Sequence, residues 1–163
     1  MNFRAVIFDL DGVIVCTDRF HYQAWKETVE GLGISFDEEM NNRLRGVGRM
    51  ESLEILLEYG GNRSFSREEK EKLAAQKNEI YRGLLAAMTP DDVTEEVRDT
   101  LAEIRRRGYG ICLGSSSRNA EYILERTGLK EAFDRIVDGN QIKKSKPDPE
   151  VFLKGAALLG EKP

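Results

Sequence analysis

Asp9 and Asp11, separated only by Leu10 and followed at once by Gly12, end a short apolar run in FDLDGVIV, residues 8–15. Two carboxylates this close repel each other, a cost that a hard cation or a lysine turns into attraction. Further along, Ser115-Ser116-Ser117 follows one apolar run, Asp138 follows another, and Lys146 lies in KKSKPDPE just beyond. Ligands of open parallel sheets bind at the carboxyl ends of the strands. Carboxylates, hydroxyls and a lysine gathered at such an edge suit phosphoryl transfer. That chemistry needs an oxygen nucleophile, a proton carrier and positive charge to balance the phosphoryl oxygens.

The elements that would hold these groups alternate between strand and helix. FRAVIF (3–8) is nearly continuous in apolar character, as in a parallel strand covered on both faces. YGICLG (109–114) and FDRIVD (133–138) are the next two strands, with helices over about 97–108 and 119–127. Asp148-Pro149 supplies an N-cap and a first-turn proline for a last helix carrying Phe152, Ala156 and Leu159. From about 18 to 88 the pattern is helical only. Trp25, Val29 and Leu32 mark one helix, stopped by Gly31 and Gly33. Ser35–Glu38 has the spacing of a capping box for a short helix with Met40 and Leu44. Another helix runs over about 50–59 with Leu53 and Leu57. Ser66–Glu69 forms a second capping box, and the long helix after it carries Leu73, Ile80 and Leu84 on one face. The expected fold is therefore α/β. A Rossmann-like parallel-sheet core (1–16 and 89–163) is interrupted by an all-helical cap (17–88).

Composition narrows the partners. A chain of 163 residues suits one domain, or a small core with an insertion. At 40% hydrophobic and 33% charged residues it is globular, and a formal charge of −4 with mixed signs argues against nucleic acid or an anionic membrane. Cys16 and Cys112 lie far apart with no CxxC spacing, which favours reduced thiols and a cytoplasmic setting. The start, MNFRAVIF, lacks the apolar region of a signal peptide, and no stretch approaches the ~20 apolar residues of a membrane span.

In that order and spacing, FDLDGV, LGSSS and KSKPDPE resemble the first three motifs of the haloacid dehalogenase superfamily of phosphotransferases. Within it the chain most resembles the β-phosphoglucomutase branch. HYQAWKE and RGVGRMESLEILL are similar to that branch's cap helices and substrate loop, and QKNEIY (76–81) to its substrate-facing lysine-asparagine pair. The resemblance implies that Asp9 attacks phosphorus and becomes a phosphoaspartate, with Asp11 as general acid/base. It implies Mg²⁺ held by the Asp9 carboxylate and the Asp11 backbone carbonyl. Ser115 would hydrogen-bond the transferring phosphoryl group, and Lys146 would balance its charge. Arg49 would grip the non-reacting phosphate in a bidentate fork. Lys77, Asn78 and His21 would position the sugar and couple cap closure, which keeps out water, to the acid/base residue. Ser116 is a further substrate-binding candidate, although Ser116 and Ser117 also suit helix capping.

The implied reaction interconverts β-glucose 1-phosphate and glucose 6-phosphate through a bisphosphate. A phosphatase of a small phosphorylated metabolite shares every one of these core residues, so it stays open. Two departures from the family pattern stand out. Cys16 occupies a hinge position where an acidic residue is common. The fourth motif, an acidic pair behind a further strand, is absent from the 163 residues. That absence points to a truncated chain with an open edge on the first strand. It keeps a third reading in play, an inactive fragment that binds a phosphosugar or a partner chain. The complete protein is expected to be a monomer acting on a small phosphosugar.

Overall fold

In the computed structural model, which describes residues 4–61 and 64–162, β1 (Ala5–Phe8), β2 (Gly110–Gly114) and β3 (Arg135–Val137) form a parallel sheet in that order. Register pairs Phe8 with Leu113 and Gly114 with Val137. The residues that follow the three strands, Asp9, Ser115 and Asp138, therefore leave the sheet at one edge. The strands are shorter than the sequence suggests. Arg4 lies outside β1, and Phe3 falls outside the described residues. β1 pairs with β2 alone among the described residues and stays partly exposed, whereas Ile111, Cys112 and Leu113 of β2 are wholly buried.

The sheet belongs to a unit of Met1–Thr17 and Met88–Pro163. Its helices are α5 (Glu95–Arg106), α6 (Ala120–Arg126) and α7 (Glu150–Leu158). Cys112, Val137 and Val151 make its inner cluster, with Ile7, Ile142 and Leu159 packed against them. Close approach of α7 to the sheet requires Gly155. A Cβ there would stand 3.1 Å from both Cys112 Sγ and Ile7 Cδ1. The start of α7 differs from expectation by one residue. Pro149 takes the N-cap position, and Asp148 Oδ1 accepts the Glu150 amide at 3.0 Å.

The second unit, Asp18–Ala87, contains four helices among the described residues. They are α1 (Asp18–Glu30), α2 (Glu38–Arg43), α3 (Arg49–Tyr59) and α4 (Arg67–Leu85). Trp25, Val29, Phe36, Met40, Leu53 and Leu56 are central to its core. The capping box at Ser66–Glu69 is present in both directions. The one expected at Ser35 is not: Asp37 caps α2, accepting the Met40 amide at 2.9 Å. The buried stripe of α4 also differs from Leu73, Ile80 and Leu84. It runs through Ala74, Lys77, Tyr81 and Leu85, about one residue around the helix, and so carries a charged residue inward. No helix among the described residues is long and apolar enough to cross a membrane.

Candidate active site

Asp9 projects from the end of β1, its side chain 39% exposed, and Lys146 Nζ lies 2.7 Å from its Oδ1. The same ammonium donates to the Gly114 carbonyl at 3.0 Å and stands 5.2 Å from the centre of the Phe152 ring. The Leu10 amide also donates to Asp9 Oδ1, at 2.7 Å. Both contacts thus fall on one oxygen of the Asp9 carboxylate.

Past Asp9 the chain folds into a tight turn. Leu10 O accepts the amides of Ile14 and Val15 at 2.9 and 3.1 Å, and Gly12 N donates to Val15 O at 2.8 Å. Gly12 sits at φ 77°, a left-handed conformation that a side chain would strain. The turn leaves Asp11 exposed and brings buried Thr17 beside it, with Thr17 Oγ1 donating to Asp11 Oδ1. Unlike its neighbour Cys16, Thr17 belongs to no motif singled out from the sequence. Its only sequence signal was a hydroxyl six residues after the second aspartate. Cys16 itself is exposed.

At the end of β2, Ser115 is fully buried. Its amide extends the pairing with β3 by donating to Val137 O at 2.9 Å, and its Oγ accepts the Ser117 amide at 3.0 Å. Since Oγ already accepts, its O–H proton is the part left to donate. The helix-capping reading fails for Ser116, while Ser117 serves the start of α6 without being its N-cap. Asn119 is the N-cap of α6, with Ser117 Oγ accepting its amide at 3.2 Å, while Ser116 Oγ lies 3.5 Å from the Lys146 amide. Asp9, Lys146, Ser115 and Ser116 therefore come together.

The helical unit holds a second, cationic group of residues. Lys77 is 3% exposed, its Nζ 2.9 Å from His21 Nδ1 and 4.4 and 5.1 Å from the ring centres of Tyr81 and Trp25. His21 stacks on Tyr81 with centroids 4.2 Å apart. Burial, then the Lys77 ammonium, then the Arg49 guanidinium push the His21 pKa down to about 3. The imidazole is neutral at physiological pH. Because Lys77 donates to Nδ1, the ring proton sits on Nε2. Arg49 opens α3 behind Gly48, and Asn78 follows Lys77 on α4, partly buried. Two cations, Lys77 and Arg49, thus act on a neutral histidine.

No cluster of three His, Cys, Asp or Glu side chains suited to a metal occurs among the described residues. The donors at hand, the Asp9 carboxylate and the Asp11 carbonyl, are hard oxygens. They fit Mg²⁺, which keeps several waters and takes one or two carboxylates with substrate phosphate.

Residues 3–163 match the family model described as haloacid dehalogenase-like hydrolase. The chain is 43% identical over 161 residues to a beta-phosphoglucomutase of Bacillus subtilis, covering 98% of this chain and 71% of that protein. It is 30% identical to a phosphorylated carbohydrates phosphatase of Thermotoga maritima, covering 92% and 68%. A crystal structure of beta-phosphoglucomutase from Clostridium difficile superposes with a TM-score of 0.92 at 39% identity, over 98% of this chain and 72% of that one.

Proposed function

The chain belongs to the haloacid dehalogenase-like hydrolase family, and on that premise we propose that it transfers a phosphoryl group between sugar-phosphate oxygens, interconverting β-glucose 1-phosphate and glucose 6-phosphate. The Lys146–Asp9 contact at 2.7 Å carries this reading. It pairs a carboxylate nucleophile with the cation that phosphoryl oxygens need, at the edge where Ser115 and Ser116 also stand.

Asp9 Oδ2 attacks the phosphorus of the bound ester. The bond from phosphorus to the sugar oxygen breaks as Asp11 gives that oxygen a proton, leaving an acyl phosphate on Asp9. In the return half-reaction Asp11 takes the proton of a sugar hydroxyl, whose oxygen attacks the same phosphorus and frees Asp9. Two such transfers through a sugar bisphosphate move the phosphate from one end of the glucose to the other. Thr17 holds Asp11 by its carboxylate. Lys146 offsets the charge that gathers on Asp9 and the phosphoryl oxygens, and the Ser115 O–H and Ser116 meet those oxygens. Mg²⁺, held by Asp9 and the Asp11 carbonyl, would add further charge balance when bound. In the helical unit, Arg49 takes the second phosphate of the bisphosphate, with Lys77, Asn78 and His21 on the sugar. Reduced thiols suit a cytoplasmic enzyme.

A phosphatase reading is favoured by one observation, the 30% identity to the Thermotoga maritima phosphatase. Incubation with Mg²⁺ and β-glucose 1-phosphate separates the two. Glucose 6-phosphate should accumulate; free phosphate without glucose 6-phosphate would overturn the mutase.

A further inference from the structure

Two residues after β3, Gly139 and Asn140, touch Ser116, Ser117 and Arg118 after β2, and Asp138 holds Asn140. Asp138 is buried, 5% exposed. Its Oδ1 accepts the Asn140 amide and its Oδ2 the Asn140 side-chain Nδ2, each at 2.9 Å. That Nδ2 also donates to Arg118 O at 3.0 Å. Gly139 N donates to Ser117 O at 3.0 Å, and a Cβ on Gly139 would stand 2.3 Å from Ser116 O.

We propose that Asp138, Gly139 and Asn140 form a brace that places the Ser115–Arg118 backbone and thereby sets how tightly the chain holds a phosphoryl group. Asn140 is the positioning residue, and the proposal rests on the phosphoryl-transfer reading above. The bonds inside the loop, from Ser117 N to Ser115 Oγ and from Asn119 N to Ser117 Oγ, fix its shape. They do not fix where that shape sits relative to Asp9 and Lys146. The brace supplies the placement by anchoring the 116–118 backbone to the neighbouring strand end. A side-chain amide has two N–H donors, and Asn140 spends one on Asp138 and the other on Arg118 O. Asp138 is thereby engaged through both oxygens and serves as an anchor rather than as a third carboxylate for acid/base work. Donors held in place before an anion arrives bind it more strongly than donors ordered on contact.

The test compares Asn140→Ala with Gln141→Ala, whose side chain lies in the same loop but donates back to Ile136 O at 3.2 Å. Inorganic phosphate in the presence of Mg²⁺ is the probe, titrated by calorimetry beside amide hydrogen exchange of residues 115–119 and thermal melting. Asn140→Ala should weaken phosphate binding about fivefold or more and speed exchange across the loop, while Gln141→Ala leaves both within about twofold. Phosphate binding by Asn140→Ala within about twofold of wild type would overturn the brace alone. So would a Gln141→Ala variant that weakens binding as much. A wild-type chain that binds no phosphate would overturn the phosphoryl-transfer reading, and the brace with it.

Discussion

Lys146 Nζ joins the ends of two strands, 2.7 Å from Asp9 Oδ1 after β1 and 3.0 Å from Gly114 O at the end of β2. The pair is partly exposed, the side chains 24% and 39% accessible, so water screens it and its worth to stability is under about 1 kcal/mol. In the proposed reaction the cation would meet charge that builds on the phosphoryl oxygens. Lys146→Met keeps the stem and removes the charge. Turnover of β-glucose 1-phosphate should fall about 100-fold or more, while the melting temperature moves by no more than about 4 °C. Equal losses in both would assign Lys146 to the fold instead.

His21 should not titrate in the working range. With its pKa lowered to about 3, the folded chain stays neutral there while the unfolded histidine protonates near 6.5. The unfolded state therefore binds the extra proton. The stability this residue contributes is fully present above pH 6.5 and is lost as pH falls from there toward 3. An NMR titration of its ring protons should be flat between pH 5 and 8. Lys77→Met removes one of the three causes and should raise the pKa. Because burial is the largest cause, the value should remain below 6.5. A midpoint near 6.5 in the unmodified chain would refute the arrangement.

Sequence pattern reached the parts of this molecule that local chemistry decides. The Ser66–Glu69 box works because both partners lie within one turn of each other. The three polar clusters share a sheet edge because parallel strands must end in the same direction. Where two caps compete within three residues, pattern failed: Asp37 rather than Ser35 holds the Met40 amide. Periodicity placed Leu73, Ile80 and Leu84 inward, but Trp25 and His21 of α1 give the Lys77 ammonium partners off its own helix, and that turns α4 toward them. Thr17 and Asn140 were illegible for a related reason. Each acts through a turn whose geometry has no periodic signature.

Thr17 is the residue to probe for the acid/base step. It is 1% exposed, and its hydroxyl donates to Asp11 Oδ1. Thr17→Val keeps the shape and removes the hydroxyl's contact with the carboxylate, and the resulting misplacement should lower kcat by roughly 10- to 100-fold with KM little changed. Thr17→Ser restores the donor and should recover most of the rate. Recovery with valine as full as with serine would show that only volume matters there.

The two cysteines offer a check on the sheet that is independent of catalysis. Cys112 is wholly buried in β2, and burial pushes its thiol up to about 11, opposed in part by its contact with Val137 and by Arg135. At pH 8 only about one thiol in a thousand would be ionised there, and the reagent has no path to it. Cys16 is exposed just past the Asp11 turn. A disulfide-exchange reagent should therefore label one thiol quickly in the folded chain and the second only on unfolding, at the rate that the sheet opens. Fast labelling of both without denaturant would mean that Cys112 in β2 is not covered by α7 as described.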